Sequence, residues 1–159
     1  MSNQRIKNLI KVWLEKSRRE SDHFSKFLFL WICFNAWLAH ESGEEFDKDM
    51  INWLKRQNLS SSTLVASFEQ CKNKSTFVDS LRFLKSNSPY KDSRGRRQDI
   101  TIADENNLGE IVEAIYRIRC NLFHGGSGAH ETEIQRQIAL SNIILNEWVA
   151  TLIVKLMGK

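Results

Sequence analysis

Residues 108–124 read LGEIVEAIYRIRCNLFH, and the spacing of their apolar positions is typical of an α-helix. At about 100° per residue, one narrow stripe carries Ile111, Ile115, Ile118 and Leu122. Asn107 stands just before the stretch as an N-cap, with Glu110 three residues later as in a capping box. Gly125 and Gly126 follow as a stop signal. The pattern predicts a core helix over residues 108–123.

The rest of the chain has the composition of a helical protein. Its 159 residues include one proline and seven glycines, which is few for a protein with many turns. The 42% share of hydrophobic residues is ordinary for a globular domain, and the length suffices for a proper core. We therefore expect a single all-α domain over residues 1–159, built as an antiparallel helical bundle.

Apolar periodicity places the other helices. Long ones are predicted at residues 3–19, 23–40 and 132–156, and shorter ones at 45–57, 62–72 and 77–85. Residues 45–85 are interpreted as a helical insertion or flank on the main bundle. The helix at 23–40 is apolar on nearly every side, so the centre of the bundle or a second subunit must cover it. Its polar exception, Asn35, either ties helices together or supports the functional site.

Residues 86–106 are the least helical part and are basic. Arg94, Arg96 and Arg97 flank Gly95, which suits them to grip RNA phosphates, although a solvated surface loop has the same composition. Arg117, in the helix, is assigned as a further RNA contact. The net charge of +4 and the isoelectric point near 9.1 are compatible with a polyanionic partner.

The three cysteines are odd in number and lack the spacing of metal ligands. They fit a reducing compartment. The first residues enter an amphipathic stretch without a signal-peptide core, and the apolar run at 27–39 is too short to span a bilayer, which needs about 20 residues. We expect a cytoplasmic protein that binds no membrane and no metal.

Arg119 lies within a second apolar strip of the same helix, formed by Val112, Tyr116 and Phe123. Such a strip is not expected to face water uncovered. A partner subunit would cover it, so the pattern predicts a two-fold homodimer through these residues, and also through the helix at 23–40.

His124 projects from nearly the opposite side of the helix from Arg119. Two arrangements bring them together. Either the glycines at 125–126 let the chain leave the helix and swing the imidazole toward the arginine, or one subunit supplies the arginine and the other the histidine. The residues alone leave both open.

Arginine and histidine are suited to cutting RNA without a metal or other cofactor. A base takes the proton of a 2′-hydroxyl, an acid protonates the leaving 5′-oxygen, and histidine serves either role near neutral pH. Arginine offers a permanent charge to the transition state. Simpler interpretations are that His124 neutralises the helix end and that Cys120, four residues before it, is a space-filling thiol.

The string Tyr116-Arg-Ile-Arg-Cys-Asn-Leu-Phe-His-Gly-Gly126 resembles the arginine–four to six residues–histidine signature of the HEPN superfamily. Trp31-Ile-Cys-Phe-Asn-Ala-Trp37 is similar to the apolar second-helix segment of those proteins. The resemblance covers the bundle, while residues 45–85 match none of its motifs. Where the family usually has a polar residue directly after the arginine, this chain has Cys120 and then Asn121.

The resemblance implies a dimeric helical endoribonuclease that acts without a metal. Arg119 would stabilise the transition state, His124 would transfer protons, and Asn121 would position or polarise, with Tyr116 in support; whether Asn121 supplies the polar function of the family is left open by the sequence. Such proteins often serve as toxins of toxin–antitoxin pairs or in antiphage defence, so an antitoxin or defence partner is implied. Some are non-catalytic modules that bind RNA or protein, and this is the alternative.

Overall fold

The computed structural model describes residues 2–56, 59–124 and 131–158. The glycines at 125–126, predicted to end the helix, lie outside these ranges. The described chain is all-α, and its helices are α1 (Asn3–Arg19), α2 (His23–Ser42), α3 (Asp47–Lys55), α4 (Thr63–Cys71), α5 (Ser75–Ser86), α6 (Leu108–Phe123) and α7 (Glu131–Met157).

Helix starts follow the capping residues. The Asp22 side chain accepts hydrogen bonds from the backbone N–H groups of Phe24 and Ser25, and Ser62 accepts one from Val65. Helix α2 runs two residues beyond the predicted His40 and ends at Gly43, whose φ of 73° suits glycine. Helix α3 is shorter than predicted, and α5 begins two residues earlier.

Helix α7 is the centre of the fold and packs against α1, α2, α4, α5 and α6. The Trp148 ring lies 4.6 Å from that of Phe34 in α2 and 4.8 Å from that of Phe68 in α4. Its Nε1–H donates to the Leu64 carbonyl (2.9 Å) and to Ser67 Oγ (3.0 Å). One core therefore includes the short helices as well as the long ones.

By length and hydropathy, residues Thr132–Met157 of α7 also meet the criterion for a membrane span. More than half of the qualifying window is buried inside the bundle. Because the core helix of a soluble protein passes the same criterion, this is weak grounds for proposing a membrane.

Helix α2 is covered on most sides by α1 and α7, with smaller contacts to α3 and α4. Its buried residues include Phe27, Leu30, Phe34 and Trp37. One flank stays open, since Phe24 and Ile32 are exposed. The bundle itself thus supplies most of the cover that this helix requires.

Candidate functional site

Helix α6 carries the candidate residues and begins as predicted. The Asn107 side chain accepts a hydrogen bond from the Glu110 N–H at 3.2 Å. The second half of the predicted capping box is absent, because the Glu110 carboxylate accepts from the Ala103 N–H instead (2.9 Å). At the other end the His124 N–H still donates to the Cys120 carbonyl. The helical path therefore continues up to His124.

Arg119 rests on aromatic rings. Its guanidinium carbon lies 5.2 Å from the ring centre of Phe123 and 6.0 Å from that of Tyr116. No hydrogen bond or ion pair joins the Arg119 side chain to any other residue in the described ranges. The predicted position of Arg119 within the apolar strip is confirmed. Its planar donor fork is available to an anion.

His124 is exposed at the end of α6. Helix α6 is helical through Phe123, and His124 follows Arg119 by five residues. At about 100° per residue, the two side chains therefore point about 140° apart. The helix does not direct the two side chains to one point. This geometry is unfavourable to a site made of Arg119 and His124 from the same chain.

The predicted apolar strip is largely covered within the chain. Val112 is fully buried, and helix α3 packs on this side of α6. Gly109 touches Lys55 of α3 at one end of the strip, and Tyr116 at the other end shares a small gap with Asp47. The prediction that Val112 contributes to a dimer interface is therefore wrong, because the chain itself already buries this side chain. Phe123 remains exposed.

Asn35 lies beneath α3, next to Tyr116 and Met50. Its side-chain oxygen is buried and has no hydrogen-bond partner in the described structure. Burial, together with a hydrogen bond to Cys120, raises the pKa of Tyr116 to about 12. Both residues belong to the contact between α2, α3 and α6.

The Asn121 side chain is hydrogen-bonded to the basic loop, which we define as residues 91–98. Its Nδ2 donates to the Lys91 carbonyl at 2.6 Å, and its Oδ1 accepts from the Ser93 N–H at 3.0 Å. The amide is thus paired with backbone on both sides. Of the two roles predicted for Asn121, to position or to polarise, this pairing favours the first.

Arg117 is also directed at the basic loop. It is only 4% exposed, and its Nη2 donates to the Gln98 carbonyl at 3.2 Å. Its Nη1 is buried without a hydrogen-bond partner in the described structure. The assignment of Arg117 as an RNA contact is therefore wrong, because α6 turns this side chain under the loop.

Asp92 organises the basic loop from within, a role that the sequence reasoning missed. Its carboxylate accepts from the Arg94 N–H, and its carbonyl accepts from the N–H of Gly95, whose φ is +65°. The Arg94 N–H, more than the charges of Arg94 and Arg117, lowers the pKa of Asp92. An aspartate at the first position of a turn is the signal that was available.

The outward cations of the loop are Arg96 and Arg97, both exposed. Arg94 turns back, with its Nε 3.5 Å from Asp92 Oδ1. Beneath the loop, Tyr90 and Ile100 pair through two backbone hydrogen bonds of 2.7 and 3.0 Å. The predicted non-helical region therefore has a defined conformation.

A cleft of about 560 Å³ opens between this region and the start of α7. One wall comes from residues 87–93, Asn121 lies between the walls, and Glu133, Ile134 and Gln137 form the other wall. The sequence did not predict the cleft, because its walls are at least 40 positions apart in the chain.

Cys120 is buried, and no hydrogen bond between its thiol and His124 is present in the described residues. Within the same residues no group of three or more His, Cys, Asp or Glu side chains is placed to hold a metal ion. His130 lies outside the described ranges.

Comparison of the chain with protein-family models, with curated proteins and with solved structures found no match.

Proposed function

We propose that this protein is a metal-independent endoribonuclease with a HEPN-like fold that acts as a homodimer. The observation that supports it best is the state of Arg119. Its guanidinium has no carboxylate partner in the described structure, and it shares a helix end with an exposed histidine and a basic loop. An arginine that has no carboxylate partner in the described structure suits a phosphodiester substrate.

In the proposed reaction a histidine acts as general base on the 2′-hydroxyl. The 2′-oxygen then attacks phosphorus, and the bond from phosphorus to the 5′-oxygen breaks. An acid gives a proton to that leaving oxygen, and the products are a 2′,3′-cyclic phosphate and a 5′-hydroxyl. Arg119 stabilises the extra negative charge on the phosphoryl oxygens.

Each chain brings one His124, while the reaction needs a base and an acid. Two copies related by a two-fold axis supply both. Within one chain the side chains of Arg119 and His124 point about 140° apart. In the proposed dimer this separation is no obstacle, because the arginine of one copy faces the histidine of the other. The exposed Phe123 and Ile32 mark the flank through which the copies would meet.

The test is cleavage of a labelled single-stranded RNA in EDTA. We expect the wild type to cut, and Arg119→Ala and His124→Ala to lose at least 100-fold in rate, the order of magnitude contributed by one general acid–base group or one charge donor. Arg136→Ala and His23→Ala are matched controls, since both residues are exposed on other helices.

Attack by the 2′-hydroxyl can be recognised from the substrate it requires and the product it leaves. Replacing one ribose by deoxyribose should abolish cleavage at that position only, and the upstream product should end in a cyclic phosphate. Cleavage that survives deoxyribose substitution would exclude attack by the 2′-hydroxyl. Equal rates for the wild type and both alanine variants would exclude Arg119 and His124 as the catalytic pair.

A non-catalytic module that binds RNA or protein is the second candidate. It is favoured by the separation of Arg119 and His124 on a single chain. A wild type that binds RNA with the same affinity as His124→Ala, and leaves it intact in EDTA and in Mg²⁺, would support it.

The cellular role we propose is that of a cytoplasmic toxin, in a toxin–antitoxin pair or in antiphage defence. Induced expression should stop growth for the wild type and not for Arg119→Ala at equal protein level. An antitoxin or other partner protein would be recovered as a binder that restores growth.

A further inference from the structure

The basic loop is held against α6 by two side chains, one turn apart on the same face of the helix. Asn121 bonds the Lys91 carbonyl and the Ser93 N–H, and Arg117 bonds the Gln98 carbonyl. The loop is therefore attached near both of its ends. Asn121 is three residues before His124 and about 60° from it around the helix, so this attachment places the loop on the His124 side of α6 and away from Arg119 of the same chain.

The attached loop has a defined internal shape. The turn at Asp92, with Gly95 at positive φ, folds the Arg94 side chain inward. Arg96 and Arg97 are left exposed on the outer side. Neither arginine has a carboxylate partner among the described residues, and both stand on a loop backbone that is held in place. This arrangement favours contacts to phosphate groups.

Residues 91–93 of the basic loop, with residues 87–90 before them, also form one wall of the cleft described above, while Arg96 and Arg97 lie outside its lining. The opposite wall, from the first turns of α7, carries polar groups at Glu133 and Gln137. A volume of about 560 Å³ is comparable to that of small-ligand sites, and its polar and charged lining suits the edges of an unpaired base.

We propose that Asn121 and Arg117 are positioning residues that hold the basic loop as one wall of a binding cleft for single-stranded RNA next to the cleaved bond. This inference rests on the proposed function. We assign Asn121 a positioning role because its Nδ2 and its Oδ1 are both bonded to the loop backbone. Its removal would release Arg96 and Arg97 from their positions.

The experiment measures binding of a short fluorescein-labelled single-stranded RNA as a function of salt, in the His124→Ala background to prevent cutting. Each phosphate contact to a single strand contributes about 0.7 to the slope of log K against log salt. Arg96→Gln with Arg97→Gln should lower the slope by about 1.4. Asn121→Ala should lower it by a similar amount, and combining all three should lower it no further.

A second readout reports on the attachment itself. Hydrogen exchange at the Ser93 amide should accelerate at least tenfold in Asn121→Ala, and the variant should keep its helical circular dichroism. Asn52→Ala, an exposed asparagine on α3 without a hydrogen bond in the described structure, is the matched control for both measurements.

The outcomes separate the two proposals. If Asn121→Ala keeps the salt slope, or if its effect adds fully to that of the arginine variants, the positioning role is wrong. If the His124→Ala parent binds no RNA, the cleft is wrong as well. If RNA binds with the expected slopes but the wild type never cuts, the nuclease proposal fails while this inference stands.

Discussion

Arg117 and Arg119 stand two positions apart on α6 and have opposite environments. A helix separates them by about 200°, so Arg117 points under the basic loop while Arg119 lies on the rings of Tyr116 and Phe123. The first guanidinium is buried and bonded to a backbone carbonyl. The second has no acceptor in the described structure, which makes it the better candidate for an anionic substrate.

The two tyrosines give a prediction at this scale. Burial raises the pKa of Tyr116 to about 12 and raises that of Tyr90 further. In the folded protein, tyrosinate absorbance should therefore not rise near pH 10, whereas in urea both side chains should ionise near 10. Since only the unfolded chain then releases these protons, the free energy of unfolding should fall as pH rises above 10.

Tyr116→Phe provides the control for this titration, because it leaves Tyr90 as the remaining tyrosine. Its folded titration should begin later than that of the wild type. A tyrosinate step near pH 10 in the native wild type would show that the side chains are more solvated than the structure indicates.

At the scale of elements, the approach of α3 to α6 decides which surface stays open. Gly109 permits the approach, since a Cβ there would lie 2.2 Å from Lys55 Cγ and 3.1 Å from Lys55 Cα. Lys55 also forms an ion pair with Glu113, one turn further along α6. Helix α3 thereby covers this side of α6 along its first turns, while Phe123 at the far end is exposed.

Gly109→Ala should destabilise the protein, although alanine favours an isolated helix by about 1 kcal/mol over glycine. The new methyl group forces Lys55 and its backbone to move, and overpacking of this kind costs about 1–3 kcal/mol. The measurement is the urea midpoint. Gly158→Ala, where the nearest atom would lie at 3.6 Å, is the control and should be close to neutral. A raised midpoint for Gly109→Ala would contradict this packing.

The whole molecule is a bundle around α7 that leaves several apolar side chains exposed. On α2 and α6 these are Phe24, Ile32 and Phe123, and we call the exposed end of α6 at Phe123 the flank of the proposed dimer. Arg119 lies against Phe123, so a second copy that covers the flank would also approach the guanidinium. The proposed dimer and the proposed site are therefore linked.

This link predicts that Phe123→Arg abolishes both dimerisation and cleavage. The wild type should have a light-scattering mass of twice 18.6 kDa, and the variant a mass of one chain. Phe83→Arg is the matched control, because Phe83 on α5 is 59% exposed and Phe123 is 58% exposed. A wild type that stays at one chain at micromolar concentration would overturn the dimer.

Mixed dimers then show how the site is composed. When Arg119→Ala and His124→Ala chains are combined, each mixed dimer keeps one Arg119 and one His124. The proposed reaction uses His124 of both chains, so mixing should not restore cleavage. Recovery of cleavage on mixing would overturn the scheme with two histidines and would show that one arginine and one histidine from different chains suffice.

Local features could be predicted from the amino-acid sequence alone. The bounds of α6, its apolar stripe and the place of Arg119 beside Tyr116 and Phe123 follow from helical periodicity and one N-cap, so they were predicted correctly. Features that depend on contacts between distant positions became visible only in the folded chain. Asn121 meets Lys91 across 30 residues, Arg117 meets Gln98 across 19, and Val112 is buried by the packing of the bundle. Periodicity states which side chains share a face, but not which other element packs against that face.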